Sequence, residues 1–80
     1  MLSDYIKAAM QRAHYEILSD DGTYYGSIPG LDGVWANAST LDGCERELAE
    51  VVEDWVLVRK VATLAIPVLD NIDLNVREGV

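Results

Sequence analysis

The sequence predicts one small α+β domain: a three-stranded antiparallel sheet with one long helix packed on it, an N-terminal helix and a short C-terminal strand. Three observations predict it. Apolar residues recur at helical spacing without a break from Leu41 to Ala65. Between residues 14 and 39, three short β-prone runs are separated by the turn-rich segments SDDGT and PGLDG. At 80 residues the chain has room for one core and not two. The domain therefore divides into an N-terminal helix (1–13), a β-meander (14–39), a long helix (41–65) and a tail strand (66–80).

In the first segment, Leu2, Tyr5, Ile6, Ala9, Met10 and Ala13 share one helical face. Ser3 is the expected N-cap of a helix over 4–13, with Asp4 in its first turn. A helix this short is unstable alone and must dock on something.

The first strand, 14–19, begins with HYEIL. Asp21-Gly22 then predicts a tight hairpin, since both residue types tolerate positive φ. The second strand, 23–29, ends at Pro29, which has no N–H for the ladder. PGLDG reverses the chain into the third strand, 34–39. Alternation sends Tyr24, Gly26, Ile28, Val34, Ala36 and Ala38 to one face. Tyr25, Ser27, Trp35, Asn37 and Ser39 go to the other. The small residues of the first set would let a helix approach closely. Tyr25 and Trp35 then need the N-terminal helix or a partner to shelter them, or they form an exposed aromatic patch.

Ser39 or Thr40 caps the long helix. Its main apolar face reads Leu41, Cys44, Leu48, Val51, Trp55, Val58, Ala62 and Ala65, and Pro67 stops it. Leu57, Val61 and Leu64 form a further apolar row off that face, which marks them for self-association. Beyond Pro67, the alternation of Ile72, Leu74 and Val76 suggests a lightly anchored last strand.

Charge narrows the function. The formal net charge is −8, and the segment from Asp20 to Asp54 carries all of it, with nine acids against Arg46. Phosphate contact needs clustered Lys and Arg, so direct nucleic-acid binding is not expected. A basic protein is the natural complement. No run approaches a membrane span and no apolar signal core opens the chain, which predicts a cytoplasmic protein with no membrane partner. The single cysteine, Cys44, rules out an internal disulfide. It falls on the apolar helix face and reads as buried. Asp20 and Asp21 read as turn residues, because no second ligand cluster accompanies them. Asp70, Asn71, Asp73 and Asn75 fail the calcium-loop spacing and lack its glycine. The lone His14 has no nucleophile to activate. No cofactor, metal or catalytic residue is expected.

The segment from Tyr15 to Val56 also resembles the HicB-like antitoxin family. The matching residues are Asp21-Gly22, Tyr24-Tyr25, Ile28-Pro29-Gly30-Leu31-Asp32-Gly33-Val34, Ala36 and Thr40-Leu41-Asp42. Gly43 stands where that family commonly has Glu. The resemblance implies a partial RNase H-like fold without nuclease activity. It further implies binding to HicA, a small basic mRNA-cleaving toxin, which the antitoxin silences by covering the active site. Many HicB proteins add a C-terminal DNA-binding domain, and this sequence corresponds to the short form without one. The residues expected to meet such a partner are Asp20, Asp21, Tyr25, Asp32, Trp35, Glu50 and Glu53. The competing expectation is a self-assembling domain, a dimer or tetramer built through Leu57, Val61 and Leu64, with no toxin partner.

Overall fold

A computed structural model describes residues 2–75. In chain order it contains α1 (Leu2–Gln11), β1 (His14–Ile17), β2 (Tyr24–Ser27), β3 (Trp35–Ala38) and α2 (Leu41–Val61). The strands form one antiparallel sheet in the order β1-β2-β3. Helix α2 crosses one face of it, and α1 packs against α2 rather than on the sheet. The α+β architecture is the expected one. No helix among the described residues is long and apolar enough to cross a membrane.

Small residues set how closely α2 approaches. Gly26 faces the helix, and a Cβ there would lie 2.9 Å from the Tyr15 ring and 3.1 Å from Cys44 Sγ. Cys44, Leu48, Val52 and Val56 of α2 are fully buried above Gly26 and Ala36. This is a ridge of every fourth residue, and it differs from the expected face. Val52 and Val56 belong to it. Val51 and Trp55 flank it, while Leu41 and Val58 point largely to solvent. Thr40 caps the helix, its hydroxyl accepting a hydrogen bond from Gly43 N–H at 3.0 Å. Tyr5 and Ala9 of α1 join Ile28, Leu31 and Val34 to complete the core.

Four local features depart from the sequence reading. Helix α1 already begins at Leu2, so Ser3 lies inside its first turn and is not the cap. The β1–β2 connection is wider than an Asp-Gly hairpin. Leu18 N–H bonds to Thr23 O and Gly22 N–H bonds to Leu18 O, both at 2.8 Å, and only Gly22 takes positive φ. The four residues Ser19–Gly22 thus form the loop, a length common for hairpins built on a wider turn.

The third departure is the end of α2, which stops at Val61 and not at residue 65. Thr63 takes φ 55°, Leu64 N–H bonds to Arg59 O at 2.8 Å and Thr63 N–H bonds to Lys60 O at 3.2 Å. These two bonds are the Schellman pattern, with threonine where glycine is usual. The reversal returns the chain to the core and buries Ile66 and Leu74.

The fourth departure is the tail. Instead of a strand, Leu69 and Ile72 form a single bridge around Asp70 and Asn71, both at positive φ. Val76, the end of the expected alternation, lies outside the described residues. The tail is well anchored. The Asn75 side chain accepts from Ile66 N–H at 2.7 Å and donates to Ile66 O at 2.9 Å, as a neighbouring strand would. Tyr5 Oη donates to Pro67 O at 2.6 Å, and Arg12 pairs with Asp70 at 2.7 Å. Side-chain clasps here replace the backbone ladder that alternation suggested.

Candidate partner interface

The sheet face opposite α2 is uncovered among the described residues. His14 and Glu16 of β1, Tyr25 and Ser27 of β2, and Trp35 and Asn37 of β3 share it, because each lies an odd step from the buried Gly26 or Ala36 in register. Ser27 pairs with Trp35 and Tyr25 with Asn37, which makes Tyr25 and Trp35 diagonal neighbours. Their rings stack at 6.0 Å between centroids, 17° from parallel. The stack remains open to solvent, with Trp35 54% exposed. Helix α1 does not shelter it, so the exposed aromatic patch is the alternative that holds.

One end of this face is tied by a polar chain. Asn37 Nδ2 donates to Thr23 Oγ1 and to Tyr24 O, each at 2.8 Å. Thr23 Oγ1 in turn donates to Asp21 Oδ1 at 2.7 Å, and Thr23 N–H reaches the same oxygen at 3.0 Å. The Thr23 hydroxyl, and then its backbone N–H, hold the Asp21 carboxyl below the ordinary carboxylate range. At the other end, the β2–β3 loop makes two successive turns, with Leu31 N–H bonded to Ile28 O and Val34 N–H to Leu31 O. Gly30 and Gly33 take the left-handed backbone these reversals need. Trp55 Nε1 donates to Asp32 O at 3.1 Å, and the Arg59 guanidinium sits 4.7 Å from the Trp55 ring centroid, so α2 holds the loop in place.

Beside β3, the flank of α2 completes an open groove of about 500 Å³ lined by Trp35, Ala36, Asn37, Glu47, Glu50, Val51 and Asp54. The expected partner-binding residues divide accordingly. Tyr25 and Trp35 meet in the stack. Glu50 shares the groove with Trp35. Asp20 and Asp21 lie in the β1–β2 loop and Asp32 in the β2–β3 loop, so these three do not join the groove. Glu53 is exposed but does not line it, while Glu47, Asp54 and Asn37 do. The missed signal was azimuth. Glu47 and Asp54, seven residues apart, are nearly in line on a helix, whereas Glu53 is turned about 120° from Glu47.

Other chemistry is thinly supplied. Cys44 is buried with Sγ 3.6 Å from Ala36 O, and burial, reinforced by Glu47, pushes its thiol up and away from reactivity. Among the described residues no three His, Cys, Asp or Glu side chains converge as a metal ion would require.

With this geometry established, the relatives can be placed. The chain matches the UPF0150-like family over residues 4–67. It belongs to that family. The match covers α1, the whole sheet, α2 and the start of the tail, so the UPF0150-like unit includes both the aromatic face and the acidic groove. The crystal structure of TTHA0281 from Thermus thermophilus is similar, with 36% sequence identity and a TM-score of 0.84. That similarity covers 96% of this chain and 95% of that one, so the two share one fold throughout. No curated protein matches the chain.

Proposed function

We propose that this UPF0150-like chain is a HicB-like antitoxin, a binding module that captures and silences a small basic HicA-type toxin. The observation that carries the reading is the Tyr25–Trp35 stack, open to solvent beside a groove lined by Glu47, Glu50 and Asp54. Exposed aromatics flanked by charge of one sign suit an interface with an oppositely charged protein. The acidic segment steers the encounter and the aromatic pair anchors it. In this reading the chain is not an enzyme and does not contact nucleic acid itself.

The test is co-expression with the product of a neighbouring short gene. The toxin alone should arrest growth, and this chain should restore growth and co-purify with it. A harmless neighbour, or a failure to co-purify, rejects the antitoxin reading. Association should slow as salt rises, because exposed charges are screened beyond ~8 Å at physiological ionic strength.

A second reading, self-assembly, is favoured by a separate observation. Leu57, Val61 and Leu64 are 45%, 89% and 49% exposed, and Val58 and Val68 nearby are also open. If this patch joins copies into a dimer or tetramer, replacing Leu57 and Leu64 by Glu should give a folded monomer. Light scattering on the unaltered chain decides it. A monomer at tens of micromolar, a concentration at which a micromolar contact would form, excludes this reading.

A further inference from the structure

Strand β3 pairs with β2 on one side, and no strand pairs with its other side among the described residues. In an antiparallel ladder alternate residues direct both backbone groups to the same side, so half of the amides and carbonyls of β3 face away from β2. Such an edge is a template for another strand, and proteins usually blunt it with lysine, proline or a bulge. WANA, the sequence of β3, has no lysine or proline and pairs in continuous register. The open edge leads into the groove, where Trp35 and Asn37 belong to the strand and Glu47, Glu50, Val51 and Asp54 to α2. Three carboxylates and no cation line it.

We infer that this edge accepts an extended segment of a basic protein as a fourth strand. Main-chain hydrogen bonds to β3 supply the pairing, and side chains at alternate positions supply the choice of partner. Successive side chains of an added strand point to opposite faces. One set meets the α2 flank, where lysine or arginine would face Glu47, Glu50 and Asp54. The other set lies beside Trp35, where an apolar side chain fits. The occupant is thus a strand alternating basic and apolar residues. A second copy of this chain suits the edge poorly. Pairing two β3 edges would bring two acidic flanks together, and β3 has no cation to offset them. The inference rests on the proposed capture of a basic protein and adds how that protein docks.

Amide hydrogen exchange on the full chain tests it, with a synthetic peptide alternating lysine and valine as the probe. The outward amides of β3 should exchange fast in the isolated chain and slow when peptide is added. Binding should weaken between about 50 and about 200 mM salt. Replacing Glu47→Lys and Glu50→Lys together should weaken it by about tenfold or more, since like charges then meet. A peptide N-methylated on its pairing amides keeps its charge but cannot join the ladder, and it should not bind. Equal binding by the N-methylated peptide overturns the inference, because charge alone then suffices. It is also overturned if the peptide does not bind, or binds without slowing β3. Slow β3 amides in the peptide-free chain that track dimerisation assign the edge to a second copy and overturn it as well. These outcomes are independent of whether a toxin co-purifies, so failure of this docking mode is distinct from failure of the antitoxin reading.

Discussion

The two faces of the sheet are built from alternate residues of the same strands, and they use opposite side chains. Toward α2 stand Gly26, Ala36 and Ala38, small enough for Cys44 and Leu48 to settle on the sheet. Away from it stand Tyr25, Trp35 and Asn37, two of them large aromatics with nothing packed over them. Burying a large aromatic contributes strongly to a core, so leaving Trp35 outside forgoes stability that a small domain could use. The difference separates two jobs. The covered face holds the domain together, and the open face is available for contact with another molecule.

Truncation on each face tests the separation. Leu48→Ala removes a fully buried side chain and should cost about 3 kcal/mol in urea unfolding. Trp35→Ala removes a larger side chain yet should cost under about 1 kcal/mol, in keeping with an exposed position. Its effect should appear instead in partner binding, as faster dissociation worth about 2 kcal/mol. If Trp35→Ala unfolds the chain as readily as Leu48→Ala, the open face is covered in solution and the comparison breaks.

The two ends of α2 differ in the same instructive way. Its start is supported by a bond the sequence announces, from Gly43 N–H to the Thr40 hydroxyl. Its end turns through Thr63 at φ 55°, a conformation costly for a β-branched residue. Thr63→Gly should relieve that cost and stabilise the chain by about 1 kcal/mol, raising Tm by about 4 °C. An unchanged or lower Tm would mean the reversal is not strained.

These contrasts explain what was legible in the sequence. Strand alternation sorts Tyr25 and Trp35 from Gly26 and Ala36 because the period of a strand is two and tolerates little error. The helix is legible as an element, but not its burial line. Leu48, Val51, Val52 and Trp55 are all apolar, and only packing decides that Val52 is buried while Val51 flanks the groove. The end of α2 was hidden because no glycine marks it. The tail was misread because Asn75 holds Ile66 through its side chain, a long-range contact that periodicity does not encode. For the candidate site, the aromatic pair and Glu50 were readable. Glu47 and Asp54 required knowing which side of α2 faces β3.

The smallest expected effect concerns acid. Asp21 ties the open face to its loop, and Asp70 ties the tail to α1. The Thr23 hydroxyl lowers the Asp21 carboxyl, and the hydrogen bond from Arg12 lowers that of Asp70. Both groups titrate lower in the folded chain than in the unfolded one, where aspartate has a pKa of about 3.9. Their contribution is therefore complete above that value and disappears as pH falls through the folded values. Both side chains are exposed, so the amounts are small. Unfolding midpoints followed from about pH 6 down to about pH 3 should fall. The fall should be shallower for Asp70→Asn, which removes one of the two titrating groups. Asp21→Asn should flatten the curve as well, and it should also loosen the Thr23–Asn37 chain at the end of the open face. A curve that keeps its slope in both variants would place the acid sensitivity elsewhere. An effect confined to Asp70→Asn would show that the tail clasp, and not the open face, carries it.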